Sequence, residues 1–249
     1  MQAYRANALH NTPLEGPEFG YRFLADEAKS LGEAMCDRTA WRLCQDQQWW
    51  SAFGKKKARE KGRKPGPPVH DSLVQREFVA AAPNELWHAD ITEHWTSEGK
   101  LYLCAVKDVW SNRIVGYPID SQMTSGPAVT AVNSAVLRRG DVASCGLHTD
   151  RGSRFRSRKL QRALLGHGKA GSMGRVNAAG DNAAMESFFR LLQKDLLNRK
   201  TCATRDELRS AIVTWIERTY HRRRRQARLG RLTPIEYETI MNRQVALAA

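Results

Sequence analysis

The pattern of apolar and polar positions changes character near residue 84. Before that point apolar residues recur at helical spacing, first Phe19, Phe23 and Leu24, then Trp41, Leu43 and Cys44. This predicts helix over residues 18–48, broken into two by Gly32. Two short helices about a glycine turn fit either a helix-turn-helix or a plain helical hairpin, and the pattern does not choose between them. Residues 54–72 carry no such pattern. Lys and Arg dominate first, then Pro65-Gly66-Pro67-Pro68 stops any helix, so the stretch reads as a linker.

From Asn84 onward, short runs rich in apolar and β-branched residues predict strands over 85–92, 101–108 and 113–119. Their short connections, Ser97-Glu98-Gly99-Lys100 and Ser111-Asn112, imply an antiparallel meander. Val129, Val132 and Val136 share one helical face, which predicts a helix over 126–138. A fourth strand over 146–150, a helix over 157–165 and a short strand around 172–173 follow. Met185, Phe188, Phe189 and Leu192 pattern a strong helix over 182–198, and a last helix covers 205–220. In that helix Ile212, Trp215 and Ile216 form a core face. The order β-β-β-α-β-α-β-α gives an α/β fold: a mixed five-stranded sheet flanked by helices, preceded by a small helical segment. The expected segments are 1–53 helical, 54–82 linker, 83–240 core with a basic C-terminal region, and 241–249 tail.

Charge changes the picture next. With 40 Lys and Arg against 26 Asp and Glu, the formal charge is +14. A domain this basic implies a polyanionic partner, because each neutralised phosphate releases counterions. Two runs concentrate the charge, at residues 55–64 and at His221-Arg222-Arg223-Arg224-Arg225 with its continuation to Arg231. Neither lies on an amphipathic Trp- or Leu-faced helix, so nucleic acid is preferred to a membrane surface. No long apolar run and no apolar leader are present, which predicts a cytoplasmic protein without a membrane partner. The five cysteines are scattered without a C-x-x-C pair, which argues against a zinc ribbon. Cys104 and Cys145 read as small core residues.

Three carboxylates stand at informative places. Asp90 ends the strand Leu86-Trp87-His88-Ala89-Asp90, Asp150 ends the fourth strand, and Glu186 lies in the first turns of a helix. Carboxylates at strand ends can converge at one sheet edge, with a packed helix adding a third. Mg²⁺ takes oxygen ligands, and a metal resolves the mutual repulsion of clustered carboxylates. A lone Asp after a strand more often serves a turn or cap, as Asp108, Asp120 and Asp181 are read here. Composition alone does not choose among these acids.

The surrounding words do. W-H-A-D-I-T (87–92), H-T-D-R-G-S (148–153), S-M-G-R-V (172–176), G-D-N-A-A-M-E-S-F-F (180–189) and R-L-T-P-I-E-Y-E (231–238) closely resemble the integrase core of insertion-sequence-3-type transposases, relatives of retroviral integrases. Thirty-five residues lie between Asp150 and Glu186, the spacing that family shows. G-Y-R (20–22) and W-R-L-C (41–44) more weakly resemble the helical DNA-binding segment that precedes the core. The resemblance implies a ribonuclease-H-like fold, with Asp90, Asp150 and Glu186 as ligands of two Mg²⁺ (or Mn²⁺) ions. It implies cleavage of double-stranded DNA at a transposon end to free a 3′-OH, and attack of that 3′-OH on target DNA. It further implies a homo-oligomer on DNA and a partner or fusion from an upstream reading frame. Phosphoryl transfer of this kind rests on positioning and charge neutralisation, so no Ser, Tyr or Cys nucleophile is assigned. The alternative is a non-catalytic DNA-binding remnant or regulator derived from a transposase.

Around the triad each residue has a functional and a plain reading. His148 shares a strand face with Asp150 and reads equally as a substrate contact or a hydrogen-bonded structural histidine. Thr92 shares the face of Asp90, where a strand-forming Thr is the simpler account. Asn182, four residues before Glu186, reads as a DNA contact or an ordinary first-turn Asn. Gly152 and Ser153 fit a phosphate-approaching loop or a plain turn. Where the family carries Lys or Arg seven residues after the Glu, this chain has Gln193, flanked by Arg190 and Lys194 at about +40° and +80° from Glu186 around an α-helix. Either cation could meet a phosphate. Arg154 departs from a commonly neutral position. Arg222, Arg223, Arg224 and Arg225 are preferred as DNA contacts over a solvated tail because they adjoin the core.

Overall fold

The structure, a computed structural model, describes residues 20–47, 49, 69–70, 79–140, 142, 144–174 and 183–248, with side chains to 244. The expectations for Asp181, Asn182 and most of the 54–82 linker lie outside these residues. The chain divides into two compact units, Met1–Arg59 with Leu197–Arg199, and Glu60–Leu196 with Lys200–Ala249.

In the first unit, helices α1 (Tyr21–Ser30) and α2 (Asp37–Asp46) flank the expected break. Gly32 sits there at φ +93°, a conformation a Cβ would disfavour. Ala28 and Leu43 are the buried contact between the helices, with Leu24, Met35 and Trp49 packed around them. Trp41, expected on the apolar face, is instead exposed.

The second unit is built on one mixed sheet. β1 (Leu86–Thr96) and β2 (Gly99–Asp108) form a hairpin, followed by β3 (Ile114–Gly116) and β4 (Ile119–Asp120). Helix α3 (Gly126–Arg139), β5 (Gly146–Thr149), α4 (Arg158–Gly166) and β6 (Ala170–Met173) come next. Helix α5 (Ala183–Leu192) runs into a π-helical turn, Gln193–Leu197. Helix α6 (Arg205–Thr214) does the same at Trp215–Tyr220, and α7 (Pro234–Ala248) closes the chain. The segment read as a tail is therefore helical almost to its end. Strand order is β3-β2-β1-β5-β6, with β4 pairing β2. The meander β1-β2-β3 is antiparallel, while β1, β5 and β6 are parallel and joined through α3 and α4, the crossovers parallel pairing requires.

The sheet has six strands rather than five because the run 113–119 divides at Tyr117-Pro118. Proline offers no N–H to a ladder, so pairing stops there and resumes at Ile119.

Period-two alternation gives the sheet two different faces. Trp87, Ala89, Cys104, Val106, Leu147 and Met173 point to one face, where Ala128, Ala131, Val132 and Ala135 of α3 and Leu160 and Leu164 of α4 complete a core. Helix α3 lies so close that a Cβ on Gly116 would stand 2.1 Å from the carbonyl oxygen of Ala131, so the position requires glycine. The other face carries His88, Asp90, Thr92, Ala105 and Lys107, under α5 and α6. Phe188 of α5 meets Tyr220 edge to face with ring centroids 5.0 Å apart, and Trp215 completes that cluster. Ile212, Trp215 and Ile216 are buried, as the core-face reading expects. Helix α6 starts with a reciprocal capping box between Thr204 and Glu207.

Two polar networks fasten the C-terminal part to this sheet. Glu238 of α7 is buried and accepts from Ser111 Oγ at 2.6 Å, Arg113 Nη1 at 2.6 Å, and Arg139. Arg139 also reaches buried Asp108, which caps the turn after β2 by accepting the Trp110 amide at 2.8 Å. The second network joins Tyr117, Glu217 and His221, and the His221 Nε2 accepts the Ile114 amide at 3.0 Å. The His221 hydrogen bond holds the Glu217 carboxyl down at about 2. Its folded value is depressed, so its stabilisation is full above the unfolded value, about 4.3, and is lost as pH falls toward 2. Glu217→Gln should therefore lower stability at neutral pH and lessen its fall between those limits, read by urea unfolding at a series of pH values.

Candidate active site

Parallel pairing of β1 with β5 ends at Ala89 opposite Thr149. One register step further sets Asp90 beside Asp150, at the C-terminal edge of β5. Asp90 is half-buried, and its Oδ1 accepts the Ile91 amide at 2.7 Å. Burial pushes its carboxyl up to about 7, the charge of Asp150 adds to this, and that of Glu186 adds further, while the Ile91 amide opposes. Asp90 thus feels both other carboxylates named by the sequence.

Asp150 is held from the following loop. Its Oδ1 accepts the Gly152 amide at 2.9 Å, and a Cβ at Gly152 would stand 2.8 Å from the same oxygen. A side chain at this position would push the Asp150 carboxylate aside. Desolvation pushes Asp150 up, and the Gly152 amide and the Arg154 guanidinium pull it back. Arg151 ties the loop to the end of β6 through a 2.7 Å bond from Nε to the Gly174 carbonyl. Glu186 lies in the first turn of α5, exposed, on a helix that packs over β1. Among the described residues no group of three His, Cys, Asp or Glu side chains is arranged to hold a metal ion. Asp90 and Asp150 stand side by side at one end of the sheet, and the charges of Asp150 and Glu186 both bear on Asp90.

That coupling makes a stability prediction. A carboxyl raised by folding costs nothing below its unfolded value near 3.9, and the cost grows with pH until it is complete above about 7. Asp90→Asn should stabilise the metal-free protein by about 1–2 kcal/mol at pH 8, with a smaller gain at pH 5. Urea unfolding in a chelating buffer measures it, and equal or lower stability of the variant at pH 8 would contradict the electrostatic reading.

One period below the Asp90–Asp150 pair lies a buried polar row of which the sequence singles out only His148. Lys107, His88, His148 and Ser172 occupy consecutive register positions on β2, β1, β5 and β6. All four are buried. His148 Nδ1 lies 3.0 Å from Ser172 Oγ, which supports its structural reading, and the His88 and His148 rings are 5.2 Å apart. Lys107 Nζ donates to the Ala184 carbonyl of α5 at 3.3 Å. Burial, then the nearby Arg228 charge, lowers the Lys107 amine to about 7. A signal existed: His88 and Lys107 interrupt otherwise apolar strands at positions that period two turns toward Asp90.

The cations expected to meet DNA fall into separate groups. Arg190 is exposed, one turn along α5 from Glu186. Lys194 lies in the π-helical turn, so the +80° offset computed for an α-helix does not apply to it. Arg224 is 3.1 Å from buried Asp195, and Arg225 is 3.4 Å from Glu236. Arg222 is exposed and Arg223 half-buried.

The order of strands, the two helices against the carboxylate face and the acidic strand ends define an integrase-type, ribonuclease-H-like core. Matches to the integrase core domain cover residues 80–179 and 186–241. The chain belongs to the family of insertion-sequence-3-type transposases. It is 32% identical over 220 residues to the transposase InsF for insertion sequence IS3A of Escherichia coli, spanning 88% of this chain and 76% of that one. The transposase InsF for insertion sequence IS3fB, also from Escherichia coli, is 36% identical over 173 residues, 70% of this chain and 60% of that one. Among solved structures, the HTLV-2 integrase catalytic core in complex with magnesium superimposes with a TM-score of 0.50 at 19% identity, over 64% of this chain and 99% of that chain. That likeness bears out the expected fold. Among the described residues no helix is long and apolar enough to cross a membrane.

Proposed function

We propose that this transposase cuts and joins DNA strands with Asp90, Asp150 and Glu186 holding two Mg²⁺ or Mn²⁺ ions. The observation that carries the reading is the β1–β5 register, which sets Asp90 beside Asp150, with the helix that carries Glu186 packed over β1. The chemistry of the donors, carboxylate oxygens, is that which a hard divalent cation takes. Mg²⁺ usually takes one or two carboxylates, with waters and substrate phosphate completing its shell, so the protein need not supply every ligand. Such ions would neutralise charge on the scissile phosphate and favour the attacking oxygen, water in cleavage and a 3′-OH in joining. The protein's own part is positioning: β1 and β5 set two carboxylates side by side, Gly152 orients one of them, and α5 brings the third.

Double-stranded transposon ends and target DNA are the proposed substrates, on a homo-oligomer acting in the cytoplasm, with a DNA reader from an upstream frame beside or fused to the chain. Arg190, Arg222 and Arg223 are the proposed phosphate contacts, with Lys194 and Asn182 as further members. Arg224 and Arg225, which also bond to Asp195 and Glu236, are further candidates for phosphate contact. The test is joining of the element's own ends in vitro with Mg²⁺ or Mn²⁺ against a chelator control. Metal-dependent joined product supports the reading. DNA binding without cleavage or joining under any metal would favour a non-catalytic, DNA-binding derivative.

A further inference from the structure

The buried row beneath the carboxylates has one member that reaches beyond the sheet. Lys107 stands on β2 opposite His88, at the end of a row whose other members hydrogen-bond or pack along the strands. Its Nζ leaves the sheet and donates to the carbonyl of Ala184, in the first turn of α5 and two residues before Glu186. The β2–β3 register shifts between Val106 and Lys107, so the ladder is irregular at the residue that makes this contact. Irregularities of this kind commonly re-aim a side chain near a functional site.

Burying a lysine is costly, and an apolar side chain would fill this part of a helix–sheet interface more cheaply. Met185 and Phe188 already supply apolar packing for α5. What they do not fix is the position of the first turn along and around the helix axis. A directional bond from the strand beside β1 to a backbone carbonyl does. Because Asp90 lies on β1 and Glu186 on α5, that bond sets one metal-ligand candidate against the other.

We propose that Lys107 is a positioning residue for the active site: it pins the first turn of α5 to the sheet and thereby holds Glu186 in reach of a cation bound at Asp90 and Asp150. The inference rests on the triad reading above. Its observed bond is to the Ala184 carbonyl, and the role assigned to it needs no contact with substrate or metal. It acts as groups behind metal ligands do, by restricting where the ligand can go, and loss of such groups typically weakens metal affinity about 10–100-fold.

The experiment compares the full chain with Lys107→Met, a change that keeps length and removes the donor. Thermal unfolding is followed while Mg²⁺ or Mn²⁺ is titrated, and joining of the element's ends is measured over the same metal range. The expected result is a half-saturating metal concentration raised about tenfold in both readouts. DNA affinity and metal-free stability should stay at or above wild type, since a costly buried amine is gone. A merely structural lysine would instead lower metal-free stability and leave the metal requirement unchanged. Unchanged half-saturation in Lys107→Met overturns the inference, while wild-type joining with metal leaves the triad reading standing. Wild-type protein that neither gains stability from metal nor joins DNA overturns both. Should Lys107→Met fail to fold, Lys107→Gln, with a shorter chain, is scored the same way.

Discussion

Asp150→Asn should reduce end cleavage and joining by roughly three orders of magnitude while DNA binding stays near wild type. Charge neutralisation at the reacting phosphate by a divalent cation contributes several kcal/mol to such reactions, and about 1.4 kcal/mol corresponds to each tenfold in rate. The substitution keeps the side chain's size. It also leaves an amide oxygen that can still accept the Gly152 amide, so the loop should hold. What is lost is the anionic charge beside Asp90. Asn at this position also relieves the repulsion that raises the Asp90 carboxyl. The variant should therefore be as stable as the parent, or more so, in metal-free buffer. Single-turnover joining assays, with filter binding to the same DNA, separate chemistry from binding. A variant that joins at the parental rate contradicts the assignment of Asp150.

The second large effect is on stability, far from the triad. Glu238→Ala should cost about 3–5 kcal/mol, because it leaves buried charge without its partner. Arg139, only 11% exposed at its side chain, would keep Asp108 at 3.4 Å but lose its closer contact to Glu238. Arg113 and Ser111 would lose theirs as well. Urea unfolding reads the loss, and a change below about 1 kcal/mol, the range of exposed pairs, would show that solvent reaches the network. The consequence for function is positional. Glu238 holds α7 to the turn after β2, and that turn follows the strand that carries Lys107.

Much of this architecture is legible in the chain itself. Alternation in Leu86-Trp87-His88-Ala89-Asp90 and the apolar run Leu101 to Val106 place the central strands, and the helical spacing of Met185, Phe188 and Leu192 places α5. The words around Asp90, Asp150 and Glu186 single out the proposed site, and the structure puts Asp90 and Asp150 at adjacent strand ends and Glu186 on the helix packed over β1. Other features depend on contacts between distant residues. The run Arg222 to Arg225 reads as uniform charge, yet Arg224 and Arg225 find Asp195 and Glu236, partners that spacing alone does not reveal. The π-helical turns at Gln193–Leu197 and Trp215–Tyr220 look like ordinary helix, since insertion of one extra residue per turn leaves no mark in composition. Glu238 likewise reads as the last letter of a recognisable word, and its burial beneath Arg139 emerges only when α7 meets the sheet. Lys107 falls between these cases. Its place in a buried strand was visible as a charge where an apolar residue belongs, and its target, a backbone carbonyl, was not.

The central claim is that Asp90, Asp150 and Glu186 together hold divalent metal. Anomalous diffraction from crystals of the protein soaked in Mn²⁺ tests it most directly. The account predicts anomalous density between the Asp90 and Asp150 carboxylates with Glu186 alongside, and its loss in Asp150→Asn. Mn²⁺ bound elsewhere on the protein, with the space between Asp90 and Asp150 empty at saturating metal, would contradict it.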